Sequence, residues 1–207
     1  MKDFGLYLVI TDPVAGYERC CEDAVRAGVG MVQLRMKDAE RGVVLQTALR
    51  MRAITRATCT RFIVNDDPEI AAAAGADGVH VGQDDMSVAE VRRRFPELRI
   101  VGLSPHSPAQ AAAAIAQNPD YIGTGPVWRT PTKKIPDPVL GIETAAAMAR
   151  AVPFPAVAIG GIDASRLPEL LAAGLRNYAV VRAVCNADDP YRAIMKLRHI
   201  EENFLAK

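Results

Sequence analysis

Eight short apolar runs, each separated from the next by a segment with helical spacing, constrain the fold of this chain more than any other feature. Most of the runs lack alternating polar residues, as expected for parallel strands that are buried on both faces. The runs are LYLVIT from Leu6, MVQLRM from Met31, FIVND from Phe62, GVHVG from Gly78, RIVGLS from Arg99, YIGTGP from Tyr121, AVAIG from Ala156 and YAVVR from Tyr178. The sequence therefore predicts that strand and helix alternate eight times.

A short repeat marks the ends of three predicted helices. Ala27-Gly28, Ala74-Gly75 and Ala173-Gly174 each stand about three residues before a predicted strand. Glycine ends a helix well because it adopts the left-handed conformation that turns the chain back towards a sheet. Eight such units in 207 residues, with no linker between them, predict one (βα)₈ TIM-barrel domain over residues 1–207. The alternative is a doubly wound open sheet, which would predict a GxGxxG turn after the first strand, and LYLVITDPVAG has none.

The composition limits the classes of partner. Lys and Arg number 25 against 24 Asp and Glu, a balance that argues against a dedicated nucleic-acid or membrane-surface binder. The N-terminal apolar run, Leu6 to Ile10, is too short for a signal peptide or a membrane span, so we expect a cytoplasmic protein. Cys20, Cys21, Cys59 and Cys185 show no CxxC spacing and are expected to be buried or partly buried free thiols.

The second predicted strand ends in three polar residues with the two-residue period of a strand. In a (βα)₈ barrel the catalytic groups lie at the carboxyl ends of the strands. Gln33, Arg35 and Lys37 alternate with apolar Leu34 and Met36, so the three polar side chains share one face. A single arginine here would be read as an ordinary solvent-facing charge. An amide and two cations in this pattern favour a binding site.

Acidic residues follow the third and fourth predicted strands. Asn65, Asp66 and Asp67 end the third strand, and Asp84 and Asp85 come shortly after the fourth. Carboxylates at the ends of adjacent parallel strands lie close enough to share a cation, and Mg²⁺ commonly takes one or two of them together with waters and substrate phosphates. The alternative is helix capping, since Asp66 precedes Pro68 and Asp85 precedes SVAEV, which are both plausible helix starts. We expect capping for Asp67 and Asp84.

The fifth strand ends in Ser104, a hydroxyl that can donate to an anion. No acid is placed to make a nucleophile triad from Ser104 and His106, and GLSPH is not the GxSxG elbow. His80, inside GVHVG, is interpreted as a hydrogen-bonded wall residue of the barrel without a catalytic role.

The seventh and eighth strands end in residues that suit a phosphate. Gly160 and Gly161 let backbone N–H groups approach a ligand closely, although two glycines alone also fit a tight turn. Val181 and Arg182 end the eighth strand. Because barrels often bind phosphate after strands seven and eight, the position favours a phosphate site.

The segment GPVWRTPTKKIPDP, residues 125–138, suits neither a helix nor a central strand because it contains four prolines. It is interpreted either as a plain surface loop or as a flap whose threonines and lysines close over a phosphate. Its place after the sixth predicted strand, on the rim with the other strand ends, favours the flap.

Taken together, QLRMK, VNDD, GADGVHVGQDD, GLSPHS, GPVWRTPTKK and VAIGGI resemble the thiamine-phosphate synthase family over nearly the whole chain. The resemblance implies a (βα)₈ enzyme that joins a hydroxymethylpyrimidine pyrophosphate to a thiazole phosphate and releases pyrophosphate. It implies that the pyrimidine pyrophosphate binds Gln33, Arg35, Lys37, Asn65, Ser104 and Lys133, and that Asp66 and Asp85 bind Mg²⁺. It assigns the thiazole phosphate to Thr130, Thr132, the amide of Gly161, Val181 and Arg182. Of these, Arg35, Lys37, Ser104 and Lys133 are the expected catalytic residues.

Two positions depart from the family pattern. Arg182 stands where the family usually has a small hydroxyl residue, and Met36 where it more often has Glu. Two other functions stay open: a thiazole tautomerase-like isomerase, for which His106 could move a proton, and a non-catalytic phosphate-ligand sensor, to which Arg182 alone points. The Ala-rich helices single out no interface, which leaves a homo-oligomer open.

Overall fold

Eight parallel strands form one closed barrel, in which each strand pairs with its neighbours in sequence and the eighth pairs with the first. The computed structural model describes residues 4–132 and 138–206. The strands are β1 (Leu6–Ile10), β2 (Met31–Leu34), β3 (Arg61–Asn65), β4 (Gly78–Val81), β5 (Ile100–Leu103), β6 (Tyr121–Thr124), β7 (Ala156–Ile159) and β8 (Asn177–Val180). The predicted (βα)₈ barrel is confirmed, and the doubly wound sheet is wrong.

Helices follow the strands around the outside of the barrel. Within the described residues they are α1 (Tyr17–Arg26), α2 (Arg41–Thr55), α3 (Pro68–Ala73), α4 (Val88–Arg94), α5 (Pro108–Gln117), α6 (Gly141–Ala151), α7 (Leu167–Ala172), α8 (Arg182–Cys185) and α9 (Pro190–Leu205). The glycines of the three repeats, Gly28, Gly75 and Gly174, have φ of 69°, 66° and 83°. They adopt the left-handed conformation that was predicted for a helix end.

The core has two layers, one inside the barrel and one between the strands and the helices. The inner layer consists of Tyr7, Val9, Met31, Ile63, Ile100, Tyr121, Val157 and Ala179. The outer layer is larger and includes residues of the other strand faces, such as Leu8 and Val64, together with Ala24 and Leu170 from helices. Because both faces of each strand are covered, the strands read as continuous apolar runs.

The strands end one or two residues before the predicted apolar runs do. Arg35, Lys37 and Ser104 therefore lie in the loops beyond the strand ends, and Gln33 lies inside β2. Cys20, Cys21 and Cys185 are buried free thiols as predicted, whereas Cys59 is exposed and the prediction for it is wrong. Across residues 4–132 and 138–206, no helix combines the length and the apolarity that crossing a membrane requires.

Candidate active site

A cavity of about 490 Å³ opens at the carboxyl ends of the strands. Nine of the predicted binding residues line it: Gln33, Arg35, Asn65, Ser104, Thr130, Thr132, Gly161, Val181 and Arg182. They come from positions throughout the chain and meet because all eight strands of the barrel point the same way. Lys133 falls on residues 133–137, outside the described part of the chain.

An acidic edge lies beside this cavity, at the ends of β3 and β4. The ammonium of Lys37 forms an ion pair with the Asp66 carboxylate. Partial burial raises the pKa of Asp85, and the nearby Asp66 carboxylate, which is within hydrogen-bonding contact of it, raises the pKa further. The Gly82 N–H donates to Asp85 Oδ2 at 2.7 Å and opposes this rise. Two predicted metal ligands therefore lie side by side, and one cation, Lys37, offsets part of their charge.

The capping alternative holds for one of the two residues to which it was assigned. Asp67 is the N-cap of α3 and accepts from the Ile70 N–H at 2.9 Å, as predicted. The prediction for Asp84 is wrong, because the N-cap of α4 is Ser87, which accepts from the Glu90 N–H. Asp66 and Asp85 cap no helix among the described residues, so capping does not account for the pair that faces Lys37.

The acidic edge matches the donor set that Mg²⁺ prefers. No cluster of three or more His, Cys, Asp and Glu side chains that could enclose a metal is found in residues 4–132 and 138–206. Mg²⁺ does not need such a cluster, because it usually keeps several waters and takes one or two carboxylates together with substrate phosphates. Asp66 and Asp85 meet that requirement, whereas they would not suit a cation that requires a full set of protein ligands.

The opposite side of the cavity is formed by the start of segment 125–138 and the loop after β7. The Val127 N–H donates to Ile159 O at 2.8 Å and the Trp128 N–H donates to Gly160 O at 3.0 Å, so the segment begins alongside β7. Further on, the hydroxyl oxygens of Thr130 and Thr132 lie 2.9 Å apart. The two threonines thus present paired hydroxyls to the cavity that they line.

Gly161 is required by its surroundings as well as by its backbone conformation. Its φ is 69°, and a Cβ at this position would lie 2.8 Å from Trp128 Cβ. Arg166 holds the same corner, because its Nη1 donates to Gly161 O at 2.7 Å and its guanidinium lies 5.5 Å from the centre of the Trp128 ring. Sequence reasoning missed Arg166 and left Trp128 without a role, since nothing local in the sequence links the two residues.

Inside the barrel, five polar side chains that line the cavity form a continuous chain of hydrogen bonds. They are, in order, Gln33, Tyr7, Tyr121, His80 and Ser104, with successive separations of 2.6, 2.9, 2.9 and 2.7 Å. His80 is thus a hydrogen-bonded wall residue, as predicted. Sequence reasoning missed the two tyrosines, and the available signal was that each stands among aliphatic residues in a strand run.

Among the arginines that line the cavity are Arg35, Arg129 and Arg182. Within the described residues, no hydrogen bond or ion pair engages the side chain of Arg35, Arg129 or Arg182. Arg129 and Arg182 belong to the side of the cavity that also carries Thr130 and Gly161, which gives that side an excess of positive charge. Arg129 was missed at the sequence level because it lies within a loop where a single basic residue is unremarkable.

Comparisons with known proteins agree with this geometry. The family model described as thiamine monophosphate synthase matches residues 6–184. A thiamine-phosphate synthase from Gloeobacter violaceus is 44% identical over 187 residues, which are 90% of this chain and 54% of that protein, so the chain spans about half of this relative. A thiamine-phosphate synthase from Thermus thermophilus is 43% identical over 199 residues, with 93% of this chain and 95% of that protein covered. The solved structure of a thiamine phosphate pyrophosphorylase from Pyrococcus furiosus superimposes with a TM-score of 0.89, at 31% identity and with 98% of both chains covered. The chain belongs to the thiamine-phosphate synthase family.

Proposed function

We propose that this chain is a Mg²⁺-dependent transferase that condenses 4-amino-2-methyl-5-hydroxymethylpyrimidine pyrophosphate with 4-methyl-5-(2-hydroxyethyl)thiazole phosphate. The products are thiamine phosphate and pyrophosphate. The observation that carries the proposal is the cavity at the strand ends, which has the acidic edge beside it and is lined by the residues Thr130, Thr132, Gly161, Val181 and Arg182, here called the phosphate-binding edge. Family membership supports the same reaction. We further propose that the enzyme acts in the cytoplasm on these two small molecules.

The acidic edge is assigned to the pyrophosphate. Asp66 and Asp85 would hold Mg²⁺ there, and the ion would neutralise part of the negative charge that develops on the departing group. Arg35 supplies a guanidinium that has no hydrogen bond or ion pair in the described part of the chain. Lys37 pairs with Asp66 in the free protein, and its ammonium would be available to the pyrophosphate if Mg²⁺ were bound beside Asp66. Gln33, Asn65 and Ser104 add neutral polar groups, and Lys133 is proposed to complete this side.

The phosphate-binding edge is assigned to the thiazole phosphate. Thr130 and Thr132 offer two hydroxyls 2.9 Å apart, a separation that suits two oxygens of one phosphate. The Gly161 amide and the chain around Val181 are placed on the same wall of the cavity. Arg182 is proposed to form a charge-assisted contact with the phosphate and thus to replace the small hydroxyl residue usual in the family.

The chemistry requires stabilisation of a leaving group rather than a general base. The thiazole nitrogen has no proton to lose, so no base is needed. The proposed path is dissociative: the bond between the pyrimidinylmethyl carbon and the pyrophosphate oxygen breaks first, because the resulting cation is resonance-stabilised, and the thiazole nitrogen then captures that cation. A preorganised electrostatic contact to developing charge is worth about 3 kcal/mol. Arg35, Lys37 and Ser104, which lie just beyond the ends of β2 and β5, are proposed to provide such contacts. Lys133 is proposed to do the same, as the family resemblance implies.

The two alternative functions have less support. The curated relatives described above are thiamine-phosphate synthases. A tautomerase would not use the Asp66–Asp85 pair, and a sensor would not require an acidic edge beside a phosphate edge. His106 lines the cavity, but its position alone does not distinguish an isomerase from a synthase.

The direct test is product formation. Purified protein is mixed with both substrates in the presence of Mg²⁺, and thiamine phosphate and pyrophosphate are measured together. We expect equal amounts of the two products and a loss of turnover when EDTA removes the metal. No product at saturating substrate would contradict the transferase function, and undiminished turnover in EDTA would contradict the metal dependence alone.

A further inference from the structure

The chain of hydrogen bonds from Gln33 to Ser104 has one end whose direction is fixed. The Gln33 amide nitrogen donates to the Tyr7 hydroxyl at 2.6 Å. An amide nitrogen has only protons to offer, so Tyr7 must accept at this contact. Tyr7 and Gln33 are 2% and 3% exposed, so water does not compete for these groups.

The directions of the other hydrogen bonds follow from the number of donors among these side chains. Burial raises the pKa of Tyr7 and of Tyr121, and both phenols therefore keep their single proton at neutral pH. The Tyr7 oxygen lies 2.9 Å from the Tyr121 oxygen and has no third polar partner within the described residues. The proton of Tyr7 therefore goes to Tyr121, and the proton of Tyr121 goes to His80 Nδ1, which is 2.9 Å away.

The opposite direction leaves a buried donor without an acceptor. If Tyr121 donated to Tyr7, the Tyr7 oxygen would accept twice and its own proton would have no acceptor in the part of the chain that is described. Buried polar groups of this kind are rare because an unmade hydrogen bond is costly in the protein interior. Donation in the direction from Gln33 towards His80 is thus the arrangement in which every buried donor of this series has an acceptor.

The absence of a side chain at Gly102 leaves space for two of these hydrogen-bonded residues. A Cβ on Gly102 would lie 2.2 Å from Tyr121 Cζ and 2.5 Å from His80 Nδ1. The register places Gly102 of β5 between His80 of β4 and Tyr121 of β6. The two rings therefore meet over a strand position that tolerates no side chain, which fixes their contact.

We propose that Gln33, Tyr7, Tyr121 and His80 are positioning residues that turn the Ser104 hydroxyl into a donor towards the cavity. With Nδ1 accepting from Tyr121, a neutral His80 carries its proton on Nε2 and donates it to Ser104 Oγ at 2.7 Å. The Ser104 proton is then free for a bound ligand. Under the proposed function, on which this last step rests, the acceptor is an oxygen of the departing pyrophosphate.

The tautomer of His80 can be measured without any substrate. Nitrogen-15 NMR of the imidazole distinguishes Nε2–H from Nδ1–H, and the chain has only three histidines, so substituting His106 and His199 by Gln assigns the His80 signals. We expect Nε2–H in the wild-type protein. Nδ1–H would overturn the proposal, whether or not the protein makes thiamine phosphate, so the two claims can fail separately.

Kinetic measurements then test whether the hydrogen-bonded side chains act through Ser104. Ser104→Ala and Tyr121→Phe are each expected to lower kcat about tenfold or more while leaving KM nearly unchanged. Ser104→Ala removes the hydrogen bond to the developing charge, and Tyr121→Phe removes the donor that sets the direction of that hydrogen bond through His80. The double variant Tyr121→Phe/Ser104→Ala should be no slower than Ser104→Ala alone. Multiplicative losses would mean that Tyr121 has a separate structural role, and the proposal would be wrong.

Two further variants test whether a loss of kcat comes from damage to the fold. Tyr178→Phe removes the hydroxyl of another buried tyrosine, one that contacts Glu201 rather than the cavity, and it should leave kcat unchanged. Tyr7→Phe should lower kcat less than Tyr121→Phe, because Tyr121 keeps a proton for His80. If Tyr121→Phe does not fold, the wild-type tautomer and the comparison of Tyr7→Phe with Tyr7→Phe/Ser104→Ala decide the question.

Discussion

The two edges of the cavity differ in whether their charged side chains are paired within the protein. On the acidic edge, Lys37 and Asp66 are already paired and Asp85 lies beside them, so ligands must replace interactions that exist in the free protein. On the phosphate-binding edge, Arg129 and Arg182 have no polar partner among the described residues. The Thr130 hydroxyl contacts the hydroxyl and the backbone N–H of Thr132, and neither hydroxyl has a further partner in that part of the chain. The first edge is therefore suited to respond strongly to charge developing during reaction, and the second to bind a substrate whose charge stays constant.

The largest expected effect is the loss of a carboxylate from the acidic edge. Asp66→Asn and Asp85→Asn should each lower kcat by about 100-fold or more, because under the proposed function the developing charge on pyrophosphate would lose the stabilisation that bound Mg²⁺ would supply. The measurement is turnover against Mg²⁺ concentration, in which both variants should require more metal. Asp84→Asn is the matched control, since Asp84 is adjacent in sequence but is assigned no ligand. Equal losses in all three variants would mean that net charge, not coordination, governs the edge.

The phosphate-binding edge should respond in KM instead. Arg182→Ser restores the residue type usual in the family, and we expect KM for the thiazole phosphate to rise about tenfold with kcat little changed, as for loss of one charge-assisted hydrogen bond. Arg176→Ser is the control, because Arg176 lies at the other end of the barrel, near Leu6 and Glu201. A lower KM in Arg182→Ser would show that the guanidinium obstructs the pocket.

These differences also mark what the sequence could predict. The fold could be predicted from apolar runs that alternate with segments of helical spacing and from the glycines that end helices, because these are local signals in the sequence. That nine of the candidate binding residues line one cavity was within reach of the sequence, because strand ends converge in any barrel. The Tyr7–Tyr121 contact was not, because the two residues are 114 positions apart and each reads locally as an ordinary strand residue. The wrong prediction for Asp84 had a different cause, because Ser87 lies nearer to α4 and caps it.

Gly161 tests how far the phosphate-binding edge depends on close packing. Gly161→Ala places a Cβ 2.8 Å from Trp128 Cβ at a φ of 69°, whereas Gly174→Ala has a φ of 83° and no atom within 4 Å. Both variants incur the cost of the left-handed conformation, about 1 kcal/mol. Gly161→Ala should lose about 1 to 2 kcal/mol more, through displacement of Trp128, and should also raise KM for the thiazole phosphate. Equal unfolding free energies from urea titration would indicate that Trp128 moves aside without cost.

Arg166 offers the smallest and most specific change to the same edge. Its guanidinium holds the Gly161 carbonyl and lies over Trp128, so it orders the wall without being assigned to the substrate. Arg166→Lys keeps the charge but loses the planar group. We expect KM for the thiazole phosphate to rise about threefold with kcat unchanged, since one hydrogen bond and one partly buried cation–π contact are weakened. Arg166→Gln should raise KM no further if the role is positional, because Gln can still donate to the carbonyl. A much larger increase for Gln than for Lys would assign the charge of Arg166 directly to the phosphate, and the edge would then bind with three arginines instead of two.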